Sequence, residues 1–162
     1  MKTNSLESFG YKNCISFENA VTRVGLCPQV GGHVLDYSPD GVNALDLDPS
    51  QQGWRHMPGI PTVVPCGGRC DIEPGNVTAP HPDLWFEDST GEIVGKGKAR
   101  LISARDPMTG VQRVREFTLA ADSARRVCEQ RIANVSEKPV TSPAQRYAPA
   151  GAPKSKFLRR FT

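Results

Sequence analysis

Turn signals recur at short intervals along this chain of 162 residues, each between short runs rich in Val, Ile, Leu and Phe. The turns are formed by Asp, Asn, Ser, Pro and Gly at Asp40–Gly41, Asp88–Gly91, Asp106–Gly110, Ala121–Ser123 and Asn134–Pro139. Such spacing is typical of antiparallel hairpins. The 15 glycines and 14 prolines follow no collagen-like period, so they too belong in turns and loops. The pattern predicts an all-β fold, an antiparallel β-sandwich.

The runs between these turns predict nine strands. The first four form a meander at Cys14–Phe17, Val21–Leu26, His33–Tyr37 and Val42–Leu47. Five more follow a long interruption, at Leu84–Phe86, Glu92–Lys96, Arg100–Ala104, Val111–Leu119 and Arg126–Ala133. The last two alternate polar and apolar residues in part, so we expect one solvated face on each. Residues 1–10 are assigned to an N-terminal extension and residues 11–140 to the sandwich.

Two glycine-containing segments interrupt the strand pattern. The Gly31-Gly32 pair permits a close backbone approach or a bulge before the third strand. Residues 48–82 hold seven prolines and little strand character, and long loops of this kind are usually functional or disordered. This interruption is rich in residues that suit a binding site better than a linker: Trp54, Arg55, His56, Arg69, Asp71, Glu73 and His81.

Residues 141–162 end the strand pattern. Three prolines within eleven residues exclude a central strand, and the segment carries five basic residues and no acidic one. Two interpretations stay open: a solvated, disordered basic tail, or a segment read out of frame after a truncation near residue 141. Residues 1–140 hold 15 basic and 17 acidic side chains, so the net charge of +3 comes from the tail. With no basic folded face and no recognisable module, the sequence gives no support for a nucleic-acid partner.

The chain also lacks signals for membranes, metals and common catalytic motifs. It has no apolar leader and no run approaching the roughly 18 apolar residues of a membrane span, so we expect a cytoplasmic protein without a membrane partner. Five scattered cysteines do not form a disulfide framework. The pair Cys66/Cys70 has no matching second ligand pair, so we expect no metal and no cofactor. The carboxylate pairs Asp46/Asp48 and Asp71/Glu73 are weak signals, and the catalytic residues stay unassigned.

The interruption does contain the parts of a sugar site. Such a site needs an aromatic face to stack on the ring, and planar donors and carboxylates to bind hydroxyl groups. Within about thirty residues the chain supplies both kinds: Trp54, Trp85, Arg69, Asp71, Glu73 and His81. An alternative keeps Trp85 in the core with Leu84 and Phe86, and Trp54 over an edge.

Three stretches resemble galactose mutarotase-like proteins, the aldose 1-epimerase superfamily. They are residues 15–45, with the Val24-Gly25-Leu26 strand and the Gly31-Gly32 bend; Gly68-Arg69; and the hairpin of residues 117–140. The resemblance covers roughly residues 11–140. It implies an antiparallel β-supersandwich that binds carbohydrate in a cleft across one sheet, with Arg69 helping to hold the sugar.

The same resemblance implies that the family's acid–base pair is missing. Its general-acid histidine and general-base glutamate come from later parts of the family's fold, and no residue here matches their motifs. The chain thus resembles the first half of such a sandwich, and a half sandwich leaves sheet edges and an apolar inner face uncovered.

We therefore expect a carbohydrate-binding, mutarotase-like β-sandwich that does not catalyse mutarotation by itself. The predicted substrate-binding residues are Arg69, Asp71, His81, Trp85 and His33. The expected partners are a sugar or sugar-like molecule and a second copy of the chain, paired through exposed sheet edges. Two alternatives stay open: a non-catalytic interaction module, or a complete small β-domain of unrelated role.

Overall fold

The structure, a computed structural model, describes residues 1–63, 67, 70–72, 82–137 and 144–146. These residues form two four-stranded antiparallel sheets and a small two-stranded one. The predicted all-β, sandwich-like fold is confirmed.

The first sheet is a meander with its strands in sequence order. Its strands are β1 (Lys2–Ser8), β2 (Tyr11–Glu18), β3 (Thr22–Cys27) and β4 (His33–Pro39). The turn after β2 is closed by Asn19, whose side-chain oxygen accepts hydrogen bonds from the backbone N–H groups of Val21 and Thr22, both at 2.9 Å. This local side-chain bonding is how Asn favours turns.

Among the described residues, three short elements lie in the chain after the first sheet and before the second. A 3-10 helix spans Pro49–Gln51, β5 spans Cys70–Ile72, and the helix α1 spans Pro82–Phe86. The second meander follows, with β6 (Thr90–Gly95), β7 (Lys98–Ile102), β8 (Val111–Leu119) and β9 (Arg126–Asn134). Finally β10 (Ala144–Arg146) pairs antiparallel with β5.

The main core lies between the two four-stranded sheets. Alternate residues of each strand face inward, as the period of two in a strand requires. The inner residues are almost fully buried: Ile15, Phe17, Val24, Leu26 and Val34 from the first sheet, and Ala99, Leu101, Phe117 and Leu119 from the second. Burying each large side chain stabilises the fold by about 1.5–3 kcal/mol. The two sheets thus cover each other's inner face, and the uncovered face expected of a half sandwich is not observed among the described residues.

A second apolar cluster lies on the opposite face of the first sheet. Its buried members are Tyr11, Cys14, Cys27, Val30, Leu35 and Phe86, and Phe9, Leu47, Trp54 and Trp85 pack around them. Leu84 instead packs with Val111 and Ile132 of the second sheet. Helix α1 therefore contacts both sheets at one end of the sandwich.

Two predicted strands are wrong. Val42–Leu47 is not a strand, because the Asn43 side chain bonds the backbone locally: it accepts from the N–H groups of Tyr37 and Leu45 and donates to Leu35 O. Side chains of this type compete with strand pairing. The predicted strand Leu84–Phe86 lies in α1, which begins at Pro82, a residue favoured in the first turn of a helix.

Other strands match the prediction closely. Strand β8 begins and ends at the predicted residues, and β9 extends the predicted strand by one residue. Residues 1–10, set apart as an extension, contain β1, which pairs along the edge of β2. Most β1 side chains are exposed, so it lacks the apolar alternation that identifies a strand. Of the predicted tail, the structure describes Ala144–Arg146 as β10, and its other residues lie outside the described part.

Candidate functional site

The loop between β3 and β4 has an unusual backbone. Val30, Gly31 and Gly32 are three consecutive left-handed residues, with φ of 62°, 67° and 65°. A β-branched residue such as Val30 rarely adopts this conformation. A Cβ on Gly31 would lie 1.8 Å from the carbonyl oxygen of Trp85, and one on Gly32 would lie 2.4 Å from Arg115 Nη2. The close backbone approach expected of the glycine pair is therefore present.

Two buried arginines hold this loop. Arg113 and Arg115 lie on the inner face of β8 and are each 3% exposed. Arg113 Nη2 donates to the carbonyls of Gly31 at 2.7 Å and Leu84 at 3.0 Å. Arg115 Nη2 donates to Gly31 O at 2.8 Å and also to Gly32 O. Hydrogen bonds of this kind offset the large cost of burying a charge.

The outward face of β8 is partly exposed, and three of its four residues, Gln112, Glu116 and Thr118, are polar. The buried face is not wholly apolar, because Arg113 and Arg115 occupy the same inner register as Val111, Phe117 and Leu119. Polar and apolar alternation looks the same in sequence whichever way the polar groups face.

Helix α1 is fixed to the same loop by its backbone. Gly31 N–H donates to Glu87 O at 2.8 Å, and Ser89 N–H donates to Pro28 O at 2.7 Å. His33 Nε2 lies 3.1 Å from the carbonyl oxygen of Trp85, where a protonated Nε2 donates a hydrogen bond. The position of Trp85 therefore depends on the loop and on His33.

Four rings form an aromatic cluster, in which Phe86 contacts the other three. Trp54 contacts Phe86 edge-on at 5.4 Å between centroids, Trp85 contacts it edge-on at 6.0 Å, and His56 stacks on it at 5.1 Å. Phe86 is buried, whereas both tryptophans are only partly buried. Tyr11 Oη donates to the Trp54 carbonyl at 2.8 Å and anchors that side of the cluster.

An exposed ion pair joins the two segments that carry the aromatic cluster. Arg55 Nη1 bonds the carboxylate of Asp88, and both side chains stay about half exposed, at 45% and 55%. Arg55 lies between Trp54 and His56 in the chain. The segments that carry the rings thus also carry an exposed guanidinium and an exposed carboxylate.

Two of the five predicted site residues, His33 and Trp85, lie together in the structure, where the His33 ring contacts the backbone carbonyl of Trp85. His33 is 1% exposed, so in this conformation its ring contacts the protein rather than solvent. Asp71 belongs to β5, opposite Gln145 of β10. Arg69 and His81 lie outside the described residues, as does Glu73.

Sequence reasoning assigned no site role to Phe86, Arg113 or Arg115. Phe86 was placed in a core strand, and no local signal marks the two arginines as buried. Only the adjacent Gly31-Gly32 pair indicated that another group approaches this backbone closely.

No protein-family model matches this chain, and comparison with curated proteins and with solved structures finds no match. The resemblance to galactose mutarotase-like proteins therefore rests on the sequence stretches quoted above. Among the described residues, no three His, Cys, Asp or Glu side chains are placed to hold a metal ion. No helix in the described part of the chain is long and apolar enough to cross a membrane.

Because Gly31 packs closely against Trp85, we predict that Gly31→Ala lowers the stability of the protein more than the matched substitution Gly41→Ala. Gly31→Ala and Gly41→Ala both place a Cβ on a left-handed residue, which costs about 1–2 kcal/mol. Gly41 has no atom within 4 Å of that Cβ, whereas Gly31 meets the Trp85 carbonyl. We expect Gly31→Ala to lose about 1–3 kcal/mol more than Gly41→Ala, because it overpacks a filled site. Urea unfolding followed by tryptophan fluorescence measures the difference, and equal midpoints would contradict this account of the loop.

Proposed function

We propose that this chain binds a sugar ring at the aromatic cluster. The observation that carries the proposal is the pair of partly buried tryptophans around Phe86, with the Arg55–Asp88 ion pair beside them. Indole faces stack on the C–H side of a sugar ring, and a guanidinium and a carboxylate bind its hydroxyl groups. Trp54 and Trp85 supply the first contact, and Arg55 and Asp88 supply the second.

The support for the cluster favours binding by a preformed site. Trp54 is anchored by the Tyr11 hydroxyl, and the backbone of Trp85 is anchored by His33 and by the Gly31 loop. Groups that are already ordered lose less conformational entropy when a ligand binds. His33 therefore acts as a positioning residue in this proposal.

The other predicted site residues are placed near the aromatic cluster in this proposal because of the residues next to them in the chain. Gly67, two residues before Arg69, forms an antiparallel bridge with Val34, which adjoins His33. Pro82, directly after His81, begins α1. We propose Arg69, Asp71 and His81 as further sugar contacts on this basis. The mutarotase-like assignment is proposed on the quoted resemblance. We also propose a cytoplasmic location, which agrees with Cys14, Cys27 and Cys128 being outside disulfide bonds.

The sugar site is testable by fluorescence, because the two tryptophans of the chain both lie in the aromatic cluster. Titration with galactose or glucose should change the emission, whereas galactitol, an open-chain polyol, controls for solvent effects. Arg55→Ala should weaken binding by about tenfold or more, since charged hydrogen bonds contribute about 1.5–3 kcal/mol.

The matched control is Arg100→Ala. Arg100 also lies about half exposed in ion pairs, with Glu92 and Glu116, but on the second sheet. Its loss should leave sugar affinity unchanged. No emission change with either sugar, or equal affinities for the two arginine variants, would count against the site.

Binding without mutarotation is the expected activity of the chain alone. Mutarotation needs an acid and a base placed together on the sugar, and loss of such a group typically lowers the rate by about 10²–10⁴-fold. Polarimetry of freshly dissolved α-galactose should therefore show the buffer rate in the presence of the protein. A clearly faster rate that His33→Gln or His81→Gln abolishes would show that the chain has its own acid–base pair.

A second candidate function, self-association, is favoured by the edge of the second sheet. Strand β6 is terminal in its sheet, and five of its six residues are exposed, including the neighbouring Ile93 and Val94. An unpaired apolar edge is a template for another strand. We propose that two copies pair through β6, weakly, because the register shifts between Ile93 and Gly95.

Pairing through β6 predicts a dimer whose population rises with protein concentration. Ile93→Lys places a charge on the edge and should shift sedimentation toward monomer. Val42→Lys is the control, because Val42 is even more exposed but lies in a loop. A monomer at all concentrations, or an equal response to both substitutions, would contradict the β6 interface.

A further inference from the structure

A cavity of about 250 Å³ opens on the outer face of the first sheet, beside the second apolar cluster. Gly25 is among its lining residues, and so are Arg23 and Asp36, which form an ion pair. The cavity is large enough for small solutes only. One of its lining residues is a cysteine, Cys14.

Cys14 faces a second cysteine across two neighbouring strands. Ser16 pairs with Gly25 and Ile15 pairs with Leu26, so the next position in the register places Cys14 opposite Cys27. Directly opposed residues of an antiparallel pair have Cα atoms about 4.5–5.5 Å apart, within the range of about 4.4–6.8 Å that a disulfide spans. Neither cysteine is in a disulfide, and both side chains lie on the face away from the main core.

The surroundings of the two thiols give them different roles. A side-chain hydrogen bond with Cys27 lowers the pKa of Cys14, and burial opposes this effect. Both side chains are buried, but Cys14 lines the cavity, whereas the Sγ of Cys27 donates to Gln29 O at 3.0 Å. The thiolate is the reactive form of cysteine, so Cys14 is the thiol placed to react first.

We propose that Cys14 and Cys27 form a redox-active dithiol that a small hydroperoxide, entering through this cavity, oxidises to a disulfide between β2 and β3. In the first step the Cys14 thiolate attacks hydrogen peroxide, an S–O bond forms, the O–O bond breaks, and the leaving hydroxide takes up the proton lost by the Cys14 thiol to form water. In the second step the Cys27 thiolate attacks the sulfenic sulfur, the S–S bond forms and the S–O bond breaks, and the released hydroxide takes up the proton lost by the Cys27 thiol to form a second water. Two thiols are oxidised, and one peroxide is reduced to two waters.

The chain is well suited to mapping this bond. Arg23, Arg55, Arg69 and Lys96 separate the five cysteines, so trypsin releases each cysteine on its own peptide. The full chain is treated with hydrogen peroxide, remaining thiols are alkylated, and the peptides are identified by mass spectrometry. We expect the Cys14 and Cys27 peptides to be linked, with the loss of two alkylatable thiols that dithiothreitol restores. Cys128→Ser should give the same result, because Cys128 lies on β9 in the other sheet.

Two variants test the order of the steps. In Cys27→Ser, Cys14 should stop at the sulfenic acid, which dimedone traps. In Cys14→Ser, Cys27 should stay reduced and alkylatable. Should either variant fail to fold, the wild-type peptide map decides by itself. Oxidation that leaves Cys14 and Cys27 alkylatable, or that links either one to a different cysteine, would overturn the proposal.

Discussion

The hydrogen bonds from two buried guanidinium groups to the Gly31-Gly32 loop are the constraint on which the candidate site depends. Arg113 and Arg115 point into the sandwich, where an unsatisfied charge would cost far more than any single apolar contact stabilises. The left-handed backbone of the loop turns its carbonyls toward both side chains. Arg113 also reaches the carbonyl of Leu84 in α1. One set of donors therefore fixes the loop, the helix and the second sheet together, and the position of Trp85 follows from it.

The parts of the fold that follow from local rules were predictable from the sequence. Strand β8 is flanked by turn residues, so its bounds match the prediction. The buried arginines were not predictable, because their acceptors lie about 80 residues earlier in the chain and alternation does not reveal which face is buried. Helix α1 was mistaken for a strand because three apolar residues carry no period, and Leu84 and Phe86 enter different apolar clusters.

The outer face of the first sheet carries both proposed sites. The main core is built from the inner faces of the two sheets, and the charged residues on the inner face of β8 are Arg113 and Arg115, which donate to loop carbonyls. On the outer face, the second apolar cluster connects Cys14 and Cys27 to Phe86 and so to the tryptophans. A disulfide between β2 and β3 would change the packing of this shared cluster, so the oxidation state of the thiols would affect the shape of the proposed sugar site.

His33 shows how a residue chosen for one role acquires another in the folded protein. From the sequence we expected His33 to be one of the sugar-binding residues. In the structure its ring is enclosed, and Nε2 faces the carbonyl of Trp85. In the proposed site a sugar would stack on the indole of Trp85, while His33 contacts the backbone carbonyl of the same residue. If sugar binding depends on His33, it does so through the orientation of Trp85. Substituting His33 would then lower the affinity for sugar because the indole of Trp85 is held less firmly, and not because a contact with the sugar is lost.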